Sequence, residues 1–248
     1  WQFQTLRSFF NLLLLISLPS FFGIKLSKLL PKNILLVAFR TLFLILCMFF
    51  FFCAAPKLSI AQMATGLYTY PIFVVIFAFF FLKESLNFLK LIALLCGIIG
   101  ASLVLKPWSI EFSIFQIFPI MAGFFYACNL FVLRKFCSNE SPLAMTSAVA
   151  VGFILSGCLG MFFVDHIMVN PTIKESMPYI AIGWPELTIF SLFIAAFASF
   201  FNLSGNLVYI KSLNYQWELD DFATPYYHPG RDVDNFHLSL KFTYFGNW

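Results

Sequence analysis

Apolar residues come in blocks about twenty long, the length an α-helix needs to cross roughly 30 Å of hydrocarbon at about 1.5 Å per residue. Read between charged residues and Pro or Gly breaks, the blocks fall at 3–23, 33–54, 58–82, 88–106, 113–133, 142–164 and 187–210. In lipid a helix satisfies its own backbone donors and acceptors, which an open strand cannot do. The expectation is an all-α polytopic membrane protein with seven transmembrane helices joined by short connectors. Only 10% of the residues are charged and 61% are hydrophobic, against about 25% charged in soluble domains. A water-soluble fold is excluded, and blocks this closely spaced leave little room for a domain outside the membrane.

With seven crossings, alternate connectors share a side, so their basic residues can be compared by counting. One set holds Lys25, Lys28, Lys32, Lys83, Lys90, Arg134, Lys135 and Lys211, eight in all; the other holds Lys57, Lys106 and Lys174, three. The richer set is expected in the cytoplasm. This places connectors 25–32, 83–90 and 134–141 there and directs the first helix inward. One missed helix would scramble the alternation, so the count also supports the spans.

The net charge is only +4 and the basic residues are scattered. No Lys/Arg run interleaved with aromatics is present to follow a phosphate backbone, so no nucleic-acid partner is expected. The six cysteines, at 47, 53, 96, 128, 137 and 158, lie in or beside apolar segments without Cys-x-x-Cys spacing or a nearby His. They read as small buried hydrophobes, not as disulfides or metal ligands; no metal or cofactor is expected. The chain opens at Trp1 with no Met, basic n-region or small-residue cleavage site, which reads as a truncated start. After Gln216 come five of the eleven acidic residues and two of the three His, with no apolar run long enough to span. Segment 217–248 is therefore expected outside the membrane. It is either a short polar tail or a departure from the natural continuation, and the second reading is favoured because an odd final helix exposes unfilled packing surface.

Several motifs recur in a fixed order. The block from Phe52 to Glu84 has a small-residue corner at Ala54-Ala55-Pro56, a mid-span Pro71 and a closing Leu82-Lys83-Glu84. Gly97-Ile-Ile-Gly100 follows and leads to Pro107; Arg7 and Arg40 stand near the starts of their helices; Ala122-Gly-Phe-Phe-Tyr-Ala-Cys-Asn-Leu-Phe-Val-Leu-Arg-Lys135 comes later. Together these resemble the EamA-like transporter family of the drug/metabolite transporter superfamily over residues 5–215. The resemblance implies helices two to eight of a ten-helix, five-plus-five inverted-repeat bundle. Residues 1–107 would be a first repeat lacking its first helix, 108–216 a partial second repeat, and 217–248 a polar tail in place of helices nine and ten. It further implies a secondary transporter or exporter in the bacterial cytoplasmic (inner) membrane. The cargo would be a small polar metabolite, an amino acid or a nucleoside-like compound, moved by alternating access. The partners would be that substrate and the lipids, with a homodimer open as an assembly.

Alternating access needs a polar cavity near the bilayer midplane lined by helices that break or rock. Polar side chains there are costly unless paired or wetted, so their positions carry information. Gln62, Gly66 and Thr69 share a helix face at i, i+4, i+7, Tyr70 follows, and Pro71 removes a donor and is expected to leave the carbonyl of Leu67 unpaired. Two readings stand for this segment: a hinge with an exposed acceptor for substrate, or a structural kink with Gly66 as a packing site. Asn202, Asn206 and Tyr209 form one stripe, for substrate or for interhelical hydrogen bonding. Tyr126 and Asn129, at i and i+3, are placed to pair across a cavity with Tyr70 or Asn206, or to act as interhelical glue. Arg40, about 10 Å inside its helix, either snorkels to the headgroups, the favoured reading, or serves as a cavity cation for an anionic or zwitterionic substrate. The expected substrate-binding residues are thus Gln62, Thr69, Tyr70, Tyr126, Asn129, Asn202, Asn206 and Arg40, with Pro71 as hinge.

No Asp, Glu or His lies inside a predicted span. Proton relays use such groups, so a facilitator or exchanger is expected over a proton-coupled carrier. No nucleophile with a base or metal cluster occurs in the spans, so no enzyme is expected. A polytopic assembly or sensor protein without transport is the other class the residues admit.

Overall fold

The computed structural model describes residues 2–22, 26–82, 88–106, 108, 113–137, 140–166 and 187–205. Each apolar block is helical: α1 Gln2–Phe22, α2 Ile34–Ala54, α3 Ile60–Leu67, α4 Tyr70–Leu82, α5 Phe88–Leu105, α6 Ile117–Phe136, α7 Pro142–His166 and α8 Ile189–Gly205. No strand occurs among the described residues. Four stretches, Ile34–Ala54, Ile60–Phe81, Ile114–Phe136 and Pro142–Val164, are long and apolar enough to cross a membrane. The chain is a polytopic integral membrane protein. The other three expected spans are the first, the fourth and the seventh. Among the described residues the fourth and seventh are represented by the apolar helices Leu91–Leu105 and Ile189–Gly205. The first, α1, carries Gln2, Gln4, Thr5, Arg7, Ser8 and Asn11 in its first half. Thr5, Ser8 and Asn11 are buried against neighbouring helices, which keeps them off the lipid-facing side.

The predicted span 58–82 is two helices in line, α3 and α4, separated at Tyr68 and Thr69. Pro71 sits in the first turn of α4, where a missing N–H has no intrahelical partner to lose. The start of α3 is set by a capping box. The Gln62 amide N–H donates to Ser59 Oγ at 3.3 Å, and the Ser59 N–H donates back to Gln62 Oε1 at 3.1 Å; such a cap is worth about 0.5–2 kcal/mol. Helix α5 ends on Lys106, whose φ of 45° is left-handed and stops the helix ahead of Pro107.

Register follows from which rings and small residues meet. Phe50 lies near Phe118, with ring centroids 6.1 Å apart, and Phe43 near Phe125, at 6.3 Å. Val37 clusters with Val132 and Cys137. Hence α2 and α6 are antiparallel. On the other side of α6, Tyr70 meets Tyr126, and Phe77 and Phe81 meet Phe131, so α3 and α4 run parallel to it. Helix α7 lies along α2 and α1 along α7, while α5 flanks α3. Helix α8 joins α1 in parallel through Asn11–Asn202 and through Leu15 with Leu203. These directions are those of a chain that reverses at every crossing, as the charge count requires.

The connectors before α2 and before α7 meet at one end of the bundle. Both Glu140 carboxylate oxygens accept backbone N–H groups across them, Oε2 from Lys32 at 2.8 Å and Oε1 from Asn33 at 2.7 Å. The Ser147 hydroxyl donates to Leu29 O at 2.5 Å. These are two of the connectors whose lysines and arginines place them on a common side.

Candidate functional site

The break between α3 and α4 is built against α6. Thr69 Oγ1 donates to Gly66 O at 2.7 Å, and the Thr69 and Ile72 N–H groups donate to Gly66 O and Thr69 O at 3.2 and 3.0 Å. The carbonyls freed by the interrupted ladder are thereby partly taken up locally. A β-carbon added at Gly123 of α6 would sit 2.8 Å from Thr69 Oγ1, 2.9 Å from Leu67 O and 3.0 Å from Gly66 O. Leu67 O, the carbonyl expected to be left unpaired, lies against Gly123 of α6, as the packing reading of this segment has it. One turn earlier, a β-carbon at Gly66 would collide with that of Pro119. Glycine at both positions lets the two backbones touch where the helix is interrupted.

Above this crossing Tyr70 and Tyr126 stand edge to face, ring centroids 4.9 Å apart at 77°. Asn129, the next turn of α6, is 2% exposed, and its Oδ1 has no hydrogen-bond donor among the described residues. The register that sets Phe43 near Phe125 brings Arg40 level with Asn129. Arg40 is half-buried. Its Nε and Nη1 atoms are buried within the bundle end, and its charge acts on the Cys137 thiol. The structure therefore gathers Thr69, Tyr70, Pro71, Tyr126, Asn129 and Arg40 along the α6 face between the broken helix and α2.

Other expected site residues are differently engaged. The Oε1 of Gln62 serves the capping box of α3. Asn202 Oδ1 accepts from Asn11 Nδ2 at 3.4 Å, an interhelical bond between α8 and α1. Asn206 and Tyr209 lie outside the described residues. A double-mutant cycle of Asn11→Ala and Asn202→Ala, read by thermal unfolding in detergent, is expected to give a coupling of about 0.6 kcal/mol and at most about 1.7. Additive effects would show that the pair does not form. Sequence reasoning passed over Asn11, although Thr5, Ser8 and Asn11 at i, i+3, i+6 mark one polar stripe. It also passed over Gln116, buried just ahead of α6 with its Oε1 unsatisfied by the described residues, and over Glu140. No group of three or more His, Cys, Asp or Glu that could hold a metal ion occurs among the described residues.

The α3–α4 break thus touches α6 through Gly66 and Gly123, with the buried Asn129 amide further along α6. Residues 1–106 match the EamA-like transporter family. The EamA-like stretch contains α1 to α5, including the break, and the motifs from Phe52 to Lys106 that carried the resemblance. The chain is 34% identical over 79 residues to the riboflavin transporter of Vibrio cholerae serotype O1, covering 32% of this chain and 26% of that protein. It is 26% identical over 98 residues to the riboflavin transporter of Brucella anthropi, covering 40% and 34%. With the S-adenosylmethionine uptake transporter of Rickettsia bellii it shares 25% identity over 144 residues, covering 57% and 48%. These matches span between about a quarter and a half of the length of those relatives. No solved structure matches the chain.

Proposed function

We propose that this chain is part of a secondary transporter that carries a small polar metabolite across a bacterial inner membrane by alternating access. Residues 1–107 and 108–216 would form the two inverted repeats, with connectors 25–32, 83–90 and 134–141 cytoplasmic. The observation that carries the proposal is Asn129. A side-chain acceptor 2% exposed and without a donor among the described residues costs about 1–3 kcal/mol, and a substrate N–H or O–H placed there satisfies it. The Tyr70–Tyr126 pair borders that position with ring edges, and Arg40 lies level with it near one end. Pro71 and the interrupted backbone at Tyr68–Thr69 supply the hinge. Of the two cargo classes, the nucleoside-like one is favoured. The relatives are named for riboflavin and S-adenosylmethionine, both of which join a planar heteroaromatic ring to polar groups.

The test is flux. The full-length gene product in proteoliposomes is expected to give saturable uptake of at least one such compound, measured with radiolabelled riboflavin, S-adenosylmethionine, nucleosides and amino acids. Flux of amino acids alone would reverse the cargo class, and absence of flux for the whole panel would remove the transport reading in favour of an assembly or sensor role.

A further inference from the structure

We infer that Glu140 is the latch of a gate, holding the start of α2 against the α6–α7 connector so that this end of the passage along α6 is shut. The inference rests on the transport reading for its purpose and on the contacts for its geometry. Alternating access requires each end of the passage to close by contacts that can be undone. Val37, Val132 and Cys137 form an apolar cluster at this end. Glu140 differs in kind. It is 9% exposed, and its two oxygens accept from the backbone of residues 108 and 107 positions away, Lys32 at 2.8 Å and Asn33 at 2.7 Å.

Three features make this link separable. Both donors precede α2, so releasing them breaks no helical hydrogen bond, and water can take them over. The carboxylate lies at the positive end of the α2 dipole, which favours the closed arrangement without locking it covalently or sterically. The linked segments belong to different proposed repeats, whose relative movement is what opens and shuts such a carrier. A second tie nearby, from Ser147 in α7 to Leu29 O in the connector before α2, closes with it.

Cys137 is a native reporter of this gate. It is 1% exposed, beneath Glu140 in the same connector. Burial pushes its thiol up, the Arg40 charge lowers it and Glu140 raises it. Removing Glu140 alone therefore changes reactivity, so labelling rates must be normalised to the thiolate fraction read by ultraviolet absorbance.

The experiment uses the full chain in detergent micelles with Cys137 as its sole cysteine, a hydrophilic maleimide, and Glu140, E140Q and E140A forms. A matching set retains only Cys47, fully buried in α2. Normalised labelling of Cys137 is expected to be at least tenfold faster in E140A than in the parent. It should be intermediate in E140Q, whose amide keeps one acceptor oxygen but no charge, and Cys47 should stay unreactive throughout. Equal Cys137 rates in all three forms would overturn the latch, as would parallel acceleration of Cys47, which reports general loosening. Because labelling does not depend on flux, accelerated labelling in a protein that carries no substrate would leave the latch standing and sink only the transport reading.

Discussion

Gly66→Val and Gly123→Val are each expected to cost on the order of 3 kcal/mol, while Gly100→Val should stay within about 0.5 kcal/mol of the parent. At Gly66 the added carbon meets the Pro119 side chain and lies 3.1 Å from Pro119 C and 3.2 Å from Ile120 N. These are backbone atoms of α6 that no rotamer change can move. At Gly123 it meets the Leu67 and Gly66 carbonyl oxygens at 2.9 and 3.0 Å, so relief requires separating α3 from α6 along the crossing. Gly100 has nothing within 4 Å of the same added carbon. Total stability of about 5–15 kcal/mol is small enough for the first two variants to lower the thermal midpoint and the yield of monodisperse protein in fluorescence-detected size-exclusion chromatography. If Gly66→Val and Gly100→Val behaved alike, the close approach at the break would be wrong.

Asn129→Leu is expected to separate folding from transport. As a structural group, Asn129 holds a buried Oδ1 with no donor among the described residues, and replacing such an acceptor by an apolar group of similar shape is neutral or stabilising. The thermal midpoint should therefore hold or rise. As a substrate contact, the amide would contribute about 1.5–3 kcal/mol if its partner is charged and about 1 if neutral, so the uptake kcat/KM of the full-length protein should fall about five- to hundredfold at 1.4 kcal/mol per tenfold. A drop in both quantities would make Asn129 a structural residue, and no change in either would remove it from the site.

Much of this molecule was legible along the chain. Within the described residues each of the seven apolar blocks is helical, Pro71 marked the interruption that splits the third into α3 and α4, and the i, i+3 spacing of Tyr126 and Asn129 put both near the broken helix. What the chain left open was the partner of each polar side chain. Gln62 shares a helix face with Gly66 and Thr69, yet it lies three residues after Ser59 and its oxygen closes a capping box. Asn202 is as costly facing lipid as expected, but Asn11 of α1 answers it before any substrate does. Arg40 has two buried nitrogens, and its charge acts on Cys137 at the bundle end. Glu140 was not singled out along the chain, because the amides it holds are about a hundred residues away.

The sequence by itself determined that the chain is a polytopic membrane protein of apolar helices. Lipid selects on length, apolarity and the charge at each helix end, and all three are properties of a single segment. Only the tertiary structure decided which polar groups are spoken for and which remain to receive something else. Helical periodicity assigns a residue to a face, but the rotation of that face and the neighbour it meets depend on the packing of every helix at once. That packing closed the Leu67 carbonyl under Gly123, paired Asn202 with Asn11, seated Glu140 on the start of α2, and left Asn129 as a buried acceptor beside the break.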